Sequence, residues 1–260
     1  MSMESVHQRP VLFHVATALY AAVCGGVLLV FAANTARGGV ALAIATAALC
    51  VITIIASRRI ARHLFFAITP LLFLLGMASL MFFVDSMVQR NIMAGIASVI
   101  VYAVLLGSYR LRSNVRDAVA RGMIVAGIFS GLFLWYAGTF AVYVNFTVPR
   151  TAVLVILGFW TLLVSWQYFV MVARGRFSQT VMYAVAVTVV MVQVIAVALW
   201  WPFGHMTSAI VLLMIYYIVW DMCDMFFRDT LSRSRVVVNT ILLILVALMV
   251  LMSAQWRPVV

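Results

Sequence analysis

Long apolar runs alternate along this chain with short clusters of Arg, Pro, Gly and Asn. A membrane-spanning helix needs about 20 largely apolar residues, with about 17 to 25 tolerated. Nine runs meet or approach that length, over 11–33, 39–56, 64–84, 92–107, 123–144, 152–172, 181–200, 207–227 and 236–253. The fourth and second are short. The pattern predicts an all-α, polytopic helical bundle, and no connection is long enough to hold a separate domain, so residues 1–260 read as a single transmembrane domain. The first run is longer than the apolar core of a signal peptide, which is about 7 to 15 residues, and reads as an uncleaved first helix.

The positions of the arginines orient this bundle. Positive residues in short loops stay on the cytoplasmic side. Counting the N-terminus and the loops after helices two, four, six and eight as one side, Arg9, Arg58, Arg59, Arg62, Arg110, Arg112, Arg116, Arg121, Arg174, Arg176, Arg228, Arg233 and Arg235 fall there. Only Arg37, Arg90, Arg150 and Arg257 fall on the other. A split of 13 to 4 predicts a cytoplasmic N-terminus and an outside C-terminus. The longest connection, SYRLRSNVRDAVAR, sets Leu111, Val115, Ala118 and Val119 on one helical face, and could lie along the inner interface with its Arg side chains on anionic headgroups.

Composition narrows the classes further. A chain that is 67% hydrophobic and 9% charged is not a soluble globular protein. Its net charge of +11 comes from 17 Arg against six acids, and the loops absorb that excess as topology, so no nucleic-acid partner is implied. There is no Lys, which excludes Schiff-base chemistry on a lysine amine. Cys24, Cys50 and Cys223 sit inside apolar runs with no metal-ligand spacing, and read as packing residues. No HExxH, GxSxG or Gly-rich phosphate loop is present, and no cofactor or metal site is indicated. Gly127 with Gly131, Ala21 with Gly25 and Ala22 with Gly26 are small-residue steps that permit close helix approach. Pro70 should bend helix three, and Asp85 with Arg90 reads as an exposed helix-end ion pair. Trp200, Trp201 and Trp256 lie near helix ends on the outer side, as an aromatic belt requires.

The eighth run carries the best candidate for chemistry. Carboxylates inside a membrane segment are costly and call for a reason. At 1.5 Å per residue from Thr207, Asp221 lies about 21 Å and Asp224 about 26 Å along the helix, in the inner part of a core of about 30 Å. Three residues apart, they share a face, and Arg228 lies one turn beyond Asp224 on it. Depth adds His14 on helix one, Gln167 on helix six and Asn239 on helix nine as candidate pocket neighbours. Two readings compete: a coupled proton or cation site, or separate satisfaction of each polar group, with Asp224 paired to Arg228.

From about residue 130 to 257, the aromatic stretch LFLWYAGTFAVYVNFTVPRTAVLVILGFW, the Trp201-Pro202 turn and the terminal Gln255-Trp256-Arg257 carry a likeness. On these residues the chain resembles a family of polytopic membrane proteins from bacterial candidate phyla, a domain of unknown function. That resemblance implies the fold and a plasma-membrane location, and carries over no site residues. Absent catalytic motifs and extramembrane domains favour a non-enzymatic component that interacts with lipids or a membrane protein partner. A small proton-coupled carrier using Asp221 and Asp224 is the alternative. A lipid-pyrophosphate enzyme holding Mg²⁺ on the same pair is a second, but it lacks the further acidic motif such enzymes use.

Overall fold

Long apolar stretches of Leu, Val, Ile, Ala and Met can satisfy their backbone in hydrocarbon only by closing hydrogen bonds within each segment, so they form helices. The computed structural model describes residues 4–35, 39–114, 117–172, 177–201, 203–227 and 232–253. Among them lie α1 (Glu4–Asn34), α2 (Gly39–Ile60), a 3₁₀ turn (Leu64–Ala67), α3 (Ile68–Met81), α4 (Met87–Ser113) and α5 (Ala118–Asn145). These are followed by α6 (Arg150–Val172), α7 (Phe177–Ala198), α8 (His205–Phe227) and α9 (Arg233–Ser253), and no strand occurs among the described residues. Eight of the helical segments, α1 to α8 with the 3₁₀ turn counted into α3, are long and apolar enough to cross a membrane. Outward faces carry large apolar side chains such as Val40, Ile44, Val99, Val155 and Leu245.

Several elements differ from the expectation. α4 is much longer than its apolar run because Gln89, Arg90, Asn91 and Arg110 continue the helix beyond the hydrocarbon. Hydropathy reports the membrane-embedded length, whereas helix ends are set by caps, and here Ser86 accepts from the Gln89 N–H. The connection expected to lie along the interface is instead mostly helix, divided between the end of α4 and the start of α5. Asp117 turns the corner: its Oδ1 accepts from the N–H groups of Val119 and Ala120 at 3.0 and 3.1 Å. Its Oδ2 takes the Nε and an Nη of Arg110, both at 2.8 Å. Backbone donation from Ala120, foremost, and the Arg110 guanidinium hold the half-buried Asp117 carboxyl below its ordinary value. Pro70 does not interrupt a long helix. It sits in the first turn of α3, directly after the 3₁₀ turn, where a missing N–H costs least.

The chain divides into two compact units, Met1–Gly131 and Leu132–Val260. In the first, α1 packs on α2 and α4, and α3 packs on α2 and α4. The small-residue steps are used selectively. A side chain at Gly25 would collide with Ser98 of α4, one at Gly127 with Val104 and Thr69, and one at Gly131 with Leu72. Ala22 and Gly26 lie on the exposed side of α1, with open space at Gly26. Arg90 does not pair with Asp85. It donates to the carbonyls of Val84 and Ala32 and to the Thr35 hydroxyl, closing the end of α1 from α4. In the second unit, α6 packs on α7, α7 on α8 and α8 on α9.

Candidate functional site

Three helices of the second unit bring the candidate residues together. Tyr168 lies about one turn before the end of α6 and Asp224 about one turn before the end of α8. The Tyr168 hydroxyl donates to Asp224 Oδ1 at 2.8 Å. Its ring packs edge-on against Trp220, with centroids 4.7 Å apart. Near the start of α9, Asn239 donates its side-chain amide to Asp221 Oδ2 at 2.7 Å. The two aspartates, neighbours on α8, are therefore engaged by different helices. Asp224 is tied to α6 and Asp221 to α9.

The same face of α6 continues this polar line. Thr161, Ser165 and Tyr168 follow at helical spacing, and all are buried. Ser165 and the Tyr216 hydroxyl lie 3.2 Å apart. Thr161 Oγ1 lies 3.0 Å from the Tyr136 hydroxyl of α5. Because the single Thr161 proton goes to the Leu157 carbonyl, Tyr136 is the donor in that pair. Phe169, Tyr183 and Phe227 pack as a ring cluster joining α6, α7 and α8, with centroids 5.2 to 5.8 Å apart. Both carboxyl groups thus accept hydrogen bonds across helices, one from a phenol and one from an amide.

Gln167 is fully buried next to Tyr168 on α6. His14 belongs to the first unit, where its Nδ1 lies 2.9 Å from the Tyr102 hydroxyl. Arg228 lies outside the described residues. Among the described residues no three His, Cys, Asp or Glu side chains gather as a metal centre would require. Cys24 is buried, while Cys50 and Cys223 are only half-buried, and all three are free thiols. Tyr168 is the residue that sequence reasoning missed. Its signal was depth: it stands as far from the end of its helix as Asp224 does from the end of α8.

Comparison of the chain with protein-family models, curated proteins and solved structures gives no match.

Proposed function

We propose that this chain is a non-enzymatic component of the plasma (inner) membrane, with its N-terminus cytoplasmic, that acts through contacts with lipid or with a membrane protein partner. Asp221 and Asp224 in this reading fasten helices. The observation that carries it is that each carboxylate is already taken by a side chain of a different helix, Asn239 of α9 and Tyr168 of α6. A Mg²⁺-pyrophosphate site would need both carboxylates turned toward one cation, and ties running to two helices do not serve that. An apolar groove of about 230 Å³ on α6 and α7, lined by Leu162, Trp166, Phe177 and Val181 among others, adds surface suited to acyl chains.

A proton- or cation-coupled carrier is the second reading, supported by the depth of Asp221 and its position only half-buried in α8. Reconstituted vesicles carrying an imposed pH or cation gradient separate the two. The expected result is that the protein dissipates the gradient no faster than empty vesicles. Dissipation by the unaltered chain that Asp221→Asn or Asp224→Asn abolishes, with folding intact, would overturn the fastener reading in favour of the carrier.

A further inference from the structure

At the end of the second unit opposite Asp221 and Asp224, α5 ends, α6 begins and α7 ends. Arg150 is the first residue of α6. Its guanidinium carbon lies 3.8 Å above the centroid of the Trp200 ring. Its Nε donates to the Tyr143 hydroxyl at 3.1 Å. One cation is thus fixed from three segments, by an aromatic face and by a single hydrogen bond. Its two terminal nitrogens, which carry the fork of donors, make no hydrogen bond to any described residue.

The other well-placed arginines spend those donors within the protein. Arg90 gives them to the end of α1, and Arg110 gives them to Asp117. The sequence from Leu132 to Trp220 contains no Asp or Glu, so the helices that hold Arg150 offer it no carboxylate. A helix N-terminus carries partial positive charge and favours anions, so a cation at the head of α6 adds to a positive potential. Around it, Trp200 is 72% exposed and Phe146 50% exposed, and Trp201 packs edge-on against Phe203 at 5.4 Å. Such rings mark headgroup depth in a bilayer. A planar guanidinium with free donors matches two phosphate oxygens at once.

We propose that Arg150, held by Tyr143 and Trp200, is a binding site for the phosphate group of an anionic phospholipid, on the opposite side of the membrane from the Arg-rich loops. The site deepens the lipid part of the function proposed above, and it does not depend on the role of the aspartates. Tyr143 and Trp200 act by positioning. They hold the guanidinium in one orientation, so that little side-chain freedom is lost when the lipid arrives.

Native mass spectrometry of the full chain in detergent, titrated with phosphatidylglycerol, tests this. Arg150→Gln should weaken retention of one lipid molecule by about tenfold, the effect of losing a charge-assisted pair. Trp200→Leu should weaken it about two- to fivefold by freeing the guanidinium. Phosphatidylcholine should be held less well than phosphatidylglycerol, and Arg112→Gln, which removes an exposed arginine of the other unit, should leave that molecule in place. Unchanged retention in Arg150→Gln, an equal loss in Arg112→Gln, or equal retention of the two lipids would overturn the proposal. Displacement of the lipid by millimolar inorganic phosphate would also overturn it, since the ligand would then be a free anion. Because neither aspartate is altered, this outcome is independent of the gradient experiment.

Discussion

The two units solve the same problem differently. Inside the membrane, each hydroxyl and carboxylate must find a partner, and helices must gain contact without a hydrophobic drive between them. In the first unit several Ser and Thr hydroxyls turn back onto their own helices. Thr17, Thr46, Thr53, Ser98 and Ser108 each donate to the carbonyl one turn earlier, at 2.6 to 2.9 Å. Helices approach closely at Gly25, Gly107 and Gly127, where added side chains have no room, and bonds of Tyr102 and Arg90 cross between α1 and α4. In the second unit, polar groups reach across: Tyr136 to Thr161, Ser165 to Tyr216, Tyr168 to Asp224 and Asn239 to Asp221. Rings also pack edge-on across helices there, Trp135 on Trp160 and Tyr168 on Trp220. Gly158, facing Val192, gives α6 and α7 one close approach of the other kind. Back-bonded hydroxyls beside small residues are the commoner device in the first unit and cross-helix bonds beside aromatic residues in the second, though Thr188 and Thr240 also back-bond there and Tyr102 crosses to His14 in the first.

Substitution breaks this contrast most sharply at its small residues. Gly127→Leu should destabilise the first unit by about 3 kcal/mol or more, because Val104 and Thr69 occupy the space the side chain needs. Unfolding in graded denaturing detergent measures it, and a loss within error of zero would mean that close approach is not what holds these helices. Cross-helix bonds come next. Asp221→Leu leaves the Asn239 amide unpaired and should cost about 1 to 3 kcal/mol, with Tyr168→Phe at the lower end of that range. In the first unit, Thr46→Val removes a bond to its own helix, Thr46 to the Leu42 carbonyl, and should cost about 0.5 kcal/mol or less in the same assay. Equal losses for Tyr168→Phe and Thr46→Val would erase the distinction between the units.

The smallest effect concerns pH and the exposed α4–α5 corner. The Asp117 carboxyl is held below its ordinary value of 3.8, so its contribution is fully present above that value and is lost as pH falls through the lower, folded one. Thermal unfolding of Asp117→Asn against the unaltered chain should therefore differ at pH 7, and the difference should shrink below about pH 4. A gap that stays constant down to pH 2 would mean that the carboxylate charge contributes nothing at this corner.

Much of the fold was legible because apolar runs of membrane length have few alternatives to helix. Helix ends were not, as α4 demonstrates: polar residues that end a hydrophobic run are still good helix formers. The partners of charged groups were least legible. Asp85 and Arg90 stand close in sequence, yet Arg90 turns to carbonyls at the end of α1. A carbonyl at a helix end leaves no mark in a list of side chains. For the candidate site, counting depth along each helix nominated Asn239 and Gln167 near Asp221 and Asp224, but it could not rank neighbours. Tyr168 went unnamed because a tyrosine in an apolar run looks like ordinary packing, and only the adjacency of α6 and α8 reveals its hydroxyl as a donor to a carboxylate.

The clasp of Arg90 on the end of α1 also bears on the order of assembly. Ala32 and Arg90 are 58 residues apart. A ribosome adding about 5 to 20 residues per second takes roughly 3 to 12 seconds to cover that distance. For that interval, the Ala32 carbonyl keeps its local partner, the Thr35 hydroxyl, but lacks Arg90 while two more segments emerge. The first unit is thus latched from its fourth helix backward, and a nascent chain halted before Arg90 should carry all of α1 without the contact that closes it.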